Sequence, residues 1–150
     1  MVKDYVKSAK DTNFPTYFET PVDNDKMNQM ILEFLQHRDM LYTGGIVLKD
    51  FVDLKRYADA TNEYRAFYLN GKLISLNKNS NQPDNSNDVP GNLTEQFTNL
   101  PSNFYTVDFA ELANGNWIVI EVGDGQVSGL SPNQYIIKFY ESIKRILYNK

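Results

Sequence analysis

The sequence predicts an α+β fold, an antiparallel sheet built on hairpins with helices packed on one face. Two observations point to the sheet. Asn-Gly occurs at 70–71 and again at 114–115, each time between alternating apolar runs. This dipeptide is the strongest short-range signal for a two-residue type I′ turn, because both central residues must take positive φ. A third observation predicts the helices: "DKMNQMILEFLQHRD" and "SPNQYIIKFYESIKRILYNK" repeat apolar residues every three or four positions.

Taken in chain order, "MVKDYVKSAK" reads as a short strand entering a polar loop that runs past Pro15 and Pro21. Met27, Met30, Ile31, Phe34 and Arg38 then lie at helical spacing behind Asp25, the expected cap. "GGIVLKDFVDL" follows as a strand after paired glycines, which serve turns far more often than phosphates. "EYRAFYLNGKLISL" forms the first hairpin, with Phe67 expected opposite Ile74, Arg65 opposite Leu76 and Glu63 opposite Lys78. The run from 77 to 92 holds one apolar residue, Val89, and reads as a surface loop. In the terminal helix Ser131 is the expected N-cap, Pro132 the first residue and Gln134 the capping-box partner. Ile136, Phe139, Tyr140, Ile143, Ile146 and Leu147 form its expected buried stripe.

A chain of 150 residues, 41% hydrophobic and 13% aromatic, suits one domain spanning 1–150. Its net charge of −4 argues against coating nucleic acid or anionic membrane by bulk charge. With no cysteine and the single His37, thiolate and histidine-rich metal sites are excluded, so any metal must be held by oxygen. The N-terminus shows no signal-peptide pattern and no window reaches the ~20 apolar residues of a membrane span. A cytoplasmic location without a membrane partner is the resulting expectation. His37-Arg38-Asp39 spells the start of a kinase catalytic loop, but neither the following asparagine nor a glycine-rich ATP loop accompanies it.

The second hairpin carries the most chemistry. A two-residue turn at 114–115 sets Ala113 against Asn116 and so Asp108 against Glu121. Alternation then puts Val107, Phe109, Ile118, Ile120 and Val122 on a core face, and Asp108, Glu121, Ala110, Trp117 and Val119 on the other. Opposed like charges on a sheet are unfavourable unless a cation or donor compensates. A divalent metal is one compensation; a register slip, or two solvated acids beside a cation, are the alternatives. Arg65 projects from an otherwise apolar face with Glu63, which suits bidentate recognition of phosphate or carboxylate, although snorkelling at a sheet edge is the commoner fate. Lys3, Lys7 and Lys49 lie in short strand-like segments. Two acids for a divalent cation and several cations together form the inventory that a nucleotide triphosphate requires.

The order of these segments resembles the ATP-grasp superfamily, in particular a bacterial and phage branch long filed as a domain of unknown function. "GGIVLKDFVDL" looks like the strand and hinge that grip adenine, and "EYRAFYLNGKLIS" like the glutamate-led hairpin that follows. "FYTVDFAELANGNWIVIEVGDGQVSGL" is similar to the metal-binding aspartate and terminal glutamate strands, and "VKDYVKSAK" to the lysine strand. The resemblance implies Asp108 and Glu121 as Mg²⁺ ligands and Lys3 at the nucleotide phosphates, with Lys7 its competitor. It places Lys49, Asp50 and the backbone near Val52 around adenine, Glu63 at the ribose, and Arg65 at phosphate or the acyl substrate. The family has an asparagine two residues beyond the terminal glutamate, where this chain has Gly123. Either Asp124 supplies the replacing oxygen or the second metal is absent. Members usually carry an earlier domain, so a fragment, half of a split enzyme or a reduced relative is expected.

The implied activity is an ATP- and Mg²⁺-dependent carboxylate-amine ligase working through an acyl phosphate. Its acceptor would be a small molecule or peptide bearing a carboxylate, and a homodimer or a complementing chain is the expected protein partner. A nucleotide-binding or interaction module without turnover is the alternative.

Overall fold

The computed structural model describes residues 1–5, 13–15 and 17–148. These fall into two compact units, Met1–Val52 and Asp53–Lys150. Among the described residues no helix is long and apolar enough to cross a membrane.

In the first unit β1 (Val2–Lys3) pairs antiparallel with β2 (Val47–Leu48), setting Lys3 opposite Val47. Helix α1 (Asn24–Arg38) is capped by Asp23 rather than Asp25: the Asp23 carboxylate accepts from the Lys26 N–H at 2.8 Å. Asp25 instead lies in the first turn, where an acid favours the positive end of the helix dipole. Phe34 is fully buried and packs with Val2 and Phe14. Arg38, from the kinase-like tripeptide, has a structural task, since its Nε donates at 2.9 Å to the wholly buried carboxylate of Asp4. The paired glycines are packing residues. A Cβ on Gly44, whose φ is 79°, would lie 2.1 Å from the Tyr5 ring.

The second unit has a two-stranded ribbon of β3 (Arg56–Tyr57) and β4 (Ala60–Thr61), followed by a four-stranded antiparallel sheet of β5 (Glu63–Leu69), β6 (Lys72–Lys78), β7 (Phe104–Glu111) and β8 (Trp117–Asp124) in the order β6-β5-β7-β8. Strands β5 and β6 turn through Asn70 and Gly71, both at positive φ. Ile74 is then the extra residue of a bulge, so Phe67 faces Ser75 and Arg65 faces Asn77, one place from the expected register, and Tyr64 replaces Glu63 opposite Lys78.

Strands β7 and β8 join differently from expectation. Gly115 alone of its pair has positive φ, and its N–H donates to the Leu112 carbonyl at 2.8 Å. The Leu112 N–H in turn bonds the Asn116 carbonyl at 2.7 Å. The loop therefore holds three residues, with glycine in the left-handed position of a bulged turn. Asn114 contributes its side chain, which accepts from the Asn116 N–H at 3.0 Å. This turn shifts the pairing by one place, bringing Trp117 and Val119 onto the core face beside Phe109 rather than beside Asp108. A bulge at Ile120 then shifts it back, and Asp108 does face Glu121.

Tyr64, Ala66, Tyr68, Tyr105, Val107 and Phe109 form the larger core. It is closed by the stretch that reads as a surface loop, through Val89, and by α2 (Gly91–Glu95), which begins at the end of that stretch, through Leu93. That stretch is tied down by its own polar side chains: Asn87 bonds Glu111, Asp88 accepts from the Tyr64 hydroxyl, and Gln82 bonds Asn62. The opposite face carries α3 (Ile136–Tyr148), anchored by Phe139 packed edge-to-face on Phe67 at 5.0 Å. The helix starts later than Pro132. Gln134 still accepts from the Ser131 N–H, while the Ser131 hydroxyl bonds Asn79. Ile136, Tyr140 and Leu147, expected in the buried stripe, are exposed, because contact with the sheet is centred on Phe139.

Candidate functional site

Four side chains stand in one cross-strand row. Asn77 of β6 pairs with Arg65 of β5, Arg65 with Asp108 of β7, and Asp108 with Glu121 of β8. Directly opposed residues in an antiparallel sheet share a face, so the row is a continuous polar strip.

The cation that the two acids require is Arg65. Its Nε donates to Asp108 Oδ1 at 2.8 Å and its Nη2 to Oδ2 at 2.6 Å, a fork that matches the carboxylate plane, while Nη1 donates to the Gly129 carbonyl at 2.9 Å. The Asp108 side chain keeps 7% of its surface exposed and Arg65 19%. Hydrogen bonding to Asp108 raises the Arg65 pKa above its ordinary value and outweighs the opposing effect of burial. Glu121 and Glu63 add smaller attractions. Glu63 shares the Arg65 face, as alternation requires, and accepts a bond from the Thr61 hydroxyl. Asp124 does not join the pair. It lies three residues beyond Glu121, so alternation turns it to the other face, and its carboxylate accepts from the Gln126 N–H at 2.8 Å in the following turn.

Among the described residues no group of three or more acids or histidines is placed to hold a metal. The donor set nevertheless fits Mg²⁺, which usually takes one or two carboxylates and completes its shell with substrate phosphates and water. Asp108 and Glu121 are two such carboxylates on neighbouring strands. Arg65 occupies one lone pair on each Asp108 oxygen, and each oxygen has two.

In the first unit Lys49, Asp50 and Val52 line a cleft of about 890 Å³ together with Tyr17, Phe18 and Phe51. Its position is set by β1: the Lys49 N–H donates to the Met1 carbonyl at 2.8 Å, and the Met1 amino group donates back to the Lys49 carbonyl at 2.7 Å. Tyr17 and Phe51 meet edge to face at 6.2 Å. Aromatic walls with a few polar groups at the rim suit a planar heterocycle. Lys3 is half-buried on β1, and Lys7 lies outside the described residues.

Sequence reasoning misses two buried acids, Asp4, paired with Arg38, and Glu111. Glu111 at the end of β7 is 1% exposed and accepts from Asn62 at 2.8 Å, Asn87 at 2.7 Å and the Tyr57 hydroxyl at 3.3 Å. The signal that could have found it is the asparagine-rich run itself, whose many amide donors need acceptors. Glu111 holds the 79–103 segment against the sheet.

No curated protein matches the chain. A family model described as an ATP-grasp domain, the third family of its clade, matches residues 1–143. With a match of that extent, over a sheet that sets the aspartate and glutamate of the expected metal strands side by side, the chain belongs to this family of ATP-grasp domains.

Proposed function

We propose that this ATP-grasp domain is an ATP- and Mg²⁺-dependent ligase that joins a carboxylate to an amine or similar nucleophile. A carboxylate oxygen attacks the γ-phosphorus and ADP leaves; the nucleophile then attacks the acyl carbon of the resulting acyl phosphate and releases inorganic phosphate. The observation that carries this reading is the Arg65–Asp108–Glu121 row.

Asp108 and Glu121 would hold Mg²⁺, which would supply positive charge against the negative phosphates. Arg65 fixes the Asp108 carboxylate, so the ligand does not have to order it on binding. Lys3 supplies positive charge to the transferred phosphoryl group, Lys49, Asp50 and Val52 line adenine, and Glu63 reaches the ribose. Lys7 competes with Lys3 for its role. The acceptor is a small molecule or peptide with a carboxylate, and a second copy or a complementing chain is the protein partner. A cytoplasmic location, where ATP is available, suits this chemistry. Asp108→Asn combined with Glu121→Gln is expected to abolish Mg²⁺·ATP binding in titration calorimetry. Unchanged affinity would sink the proposal.

The second reading is a nucleotide-binding or interaction module without turnover. The observation favouring it is the Arg65 fork, which engages both oxygens of the expected metal ligand. Nucleotide affinity without ADP release, across carboxylate and amine pairs, would support it.

A further inference from the structure

The groove between β6 and the start of α3 has a volume of about 280 Å³ and is lined by Ser75, Asn77, Gln134, Tyr135, Lys138 and Ser142 among others. Gln134 is 8% exposed. Its Oε1 accepts from the Ser131 N–H at 3.3 Å, which identifies the other end of the amide as nitrogen. That nitrogen, Nε2, is buried and has no hydrogen-bond partner in the protein. A buried donor left unmade is costly, and a ligand oxygen placed against it recovers the loss.

Lys138 lines the same groove. Its ammonium sits 5.7 Å from the centre of the Tyr135 ring, a cation–π contact that keeps it close to the first turn of the helix. The 13-residue α3 also presents the positive end of its dipole on this side. A neutral donor and a cation a few residues apart, at the electropositive end of a helix, call for an acceptor that is anionic and has two oxygens. The space admits a molecule of amino-acid or dicarboxylate size.

We propose that the β6–α3 groove binds a small carboxylate, with Gln134 Nε2 donating to one oxygen and the Lys138 ammonium neutralising the charge. The site goes beyond the ligase reading and does not rest on it.

The test follows the Gln134 side-chain amide by NMR in the ¹⁵N-labelled full chain. Acetate, succinate and L-glutamate are the probes, with succinamide as the uncharged control. A saturable shift of the Gln134 amide with at least one carboxylate, and none with succinamide, is expected. Lys138→Ala, a change at an exposed side chain, should weaken that binding about tenfold or more, and Gln134→Leu, followed through the backbone amides of Tyr135 and Lys138, should abolish it. The combined Asp108→Asn and Glu121→Gln variant should bind the carboxylate as the wild type does, so failure of the nucleotide reading leaves this result intact. No Gln134 shift at millimolar probe, equal binding of succinamide, or an unaltered affinity in Lys138→Ala would each overturn the proposal.

Discussion

Arg65 decides what the acid pair can do. Without it, Asp108 and Glu121 are two like charges on adjacent strands, one of them nearly buried. With it, Asp108 is neutralised by a planar fork that lysine cannot reproduce. Arg65→Ala should therefore destabilise the domain by roughly 2–4 kcal/mol in urea unfolding, toward the lower end of what breaking a buried pair costs because Arg65 keeps some contact with water. Arg65→Lys should recover only part of that loss, since a point charge replaces two parallel bonds. Equal stability of the alanine variant and the wild type would show that the fork contributes nothing. At this scale the sequence is informative about which residues matter and less so about what they touch. Arg65 stands out as a charge on an apolar face, but its partner lies on another strand, beyond the reach of hairpin arithmetic.

The hairpins show why. A two-residue turn at 114–115 predicts the Asp108–Glu121 pairing, yet the pairing arises from a three-residue bulged loop followed by a second bulge at Ile120. The two shifts cancel at the acids. They do not cancel at Trp117 and Val119, which is why those residues belong to the core. Bulges depend on packing against both faces and leave little mark on local sequence, so turn position is legible while register is not. The exposed apolar residues of α3 tell the same story, because periodicity marks a stripe but not how much of it the sheet covers. Glycine substitutions test the turns directly. Gly71→Ala forces an alanine to φ 73° and brings its Cβ within 2.8 Å of the Thr98 carbonyl, whereas Gly115→Ala at φ 86° meets nothing within 4 Å. Gly115→Ala should cost about 1 kcal/mol, and Gly71→Ala measurably more; urea midpoints falling in the reverse order would contradict this account of the first turn.

At the scale of the whole molecule, buried tyrosines set the response to alkali. Burial pushes the Tyr64, Tyr68 and Tyr105 pKa values up, with Asp88 adding to the effect at Tyr64 and Tyr105 adding to it at Tyr68. Their folded values exceed the ordinary value near 10, so above about pH 10 the unfolded chain loses these protons first. Stability is thus fully present below that pH and falls as pH rises through the folded values. Tyr68→Phe should flatten the decline, as chemical denaturation from pH 9 upward would reveal; an unchanged slope would mean that Tyr68 ionises freely in the folded state. The α+β class and the family resemblance are legible because hairpin signals, an amphipathic terminal helix and the aspartate and glutamate strands are local patterns. The polar segment that closes the larger core is not, since its anchoring depends on Glu111 and Asn62, both distant in sequence. The central claim, that this ATP-grasp domain binds Mg²⁺ and ATP through Asp108 and Glu121, is tested most directly by thermal stability with and without millimolar Mg²⁺ and ATP. Binding to the folded state alone at one hundred times Kd adds about 2.7 kcal/mol, which for a chain of this size raises Tm by roughly 5–10 °C. The account predicts that rise with Mg²⁺ and ATP together and its loss in the Asp108→Asn, Glu121→Gln variant. An unshifted Tm, or a shift that persists in the variant, would contradict it.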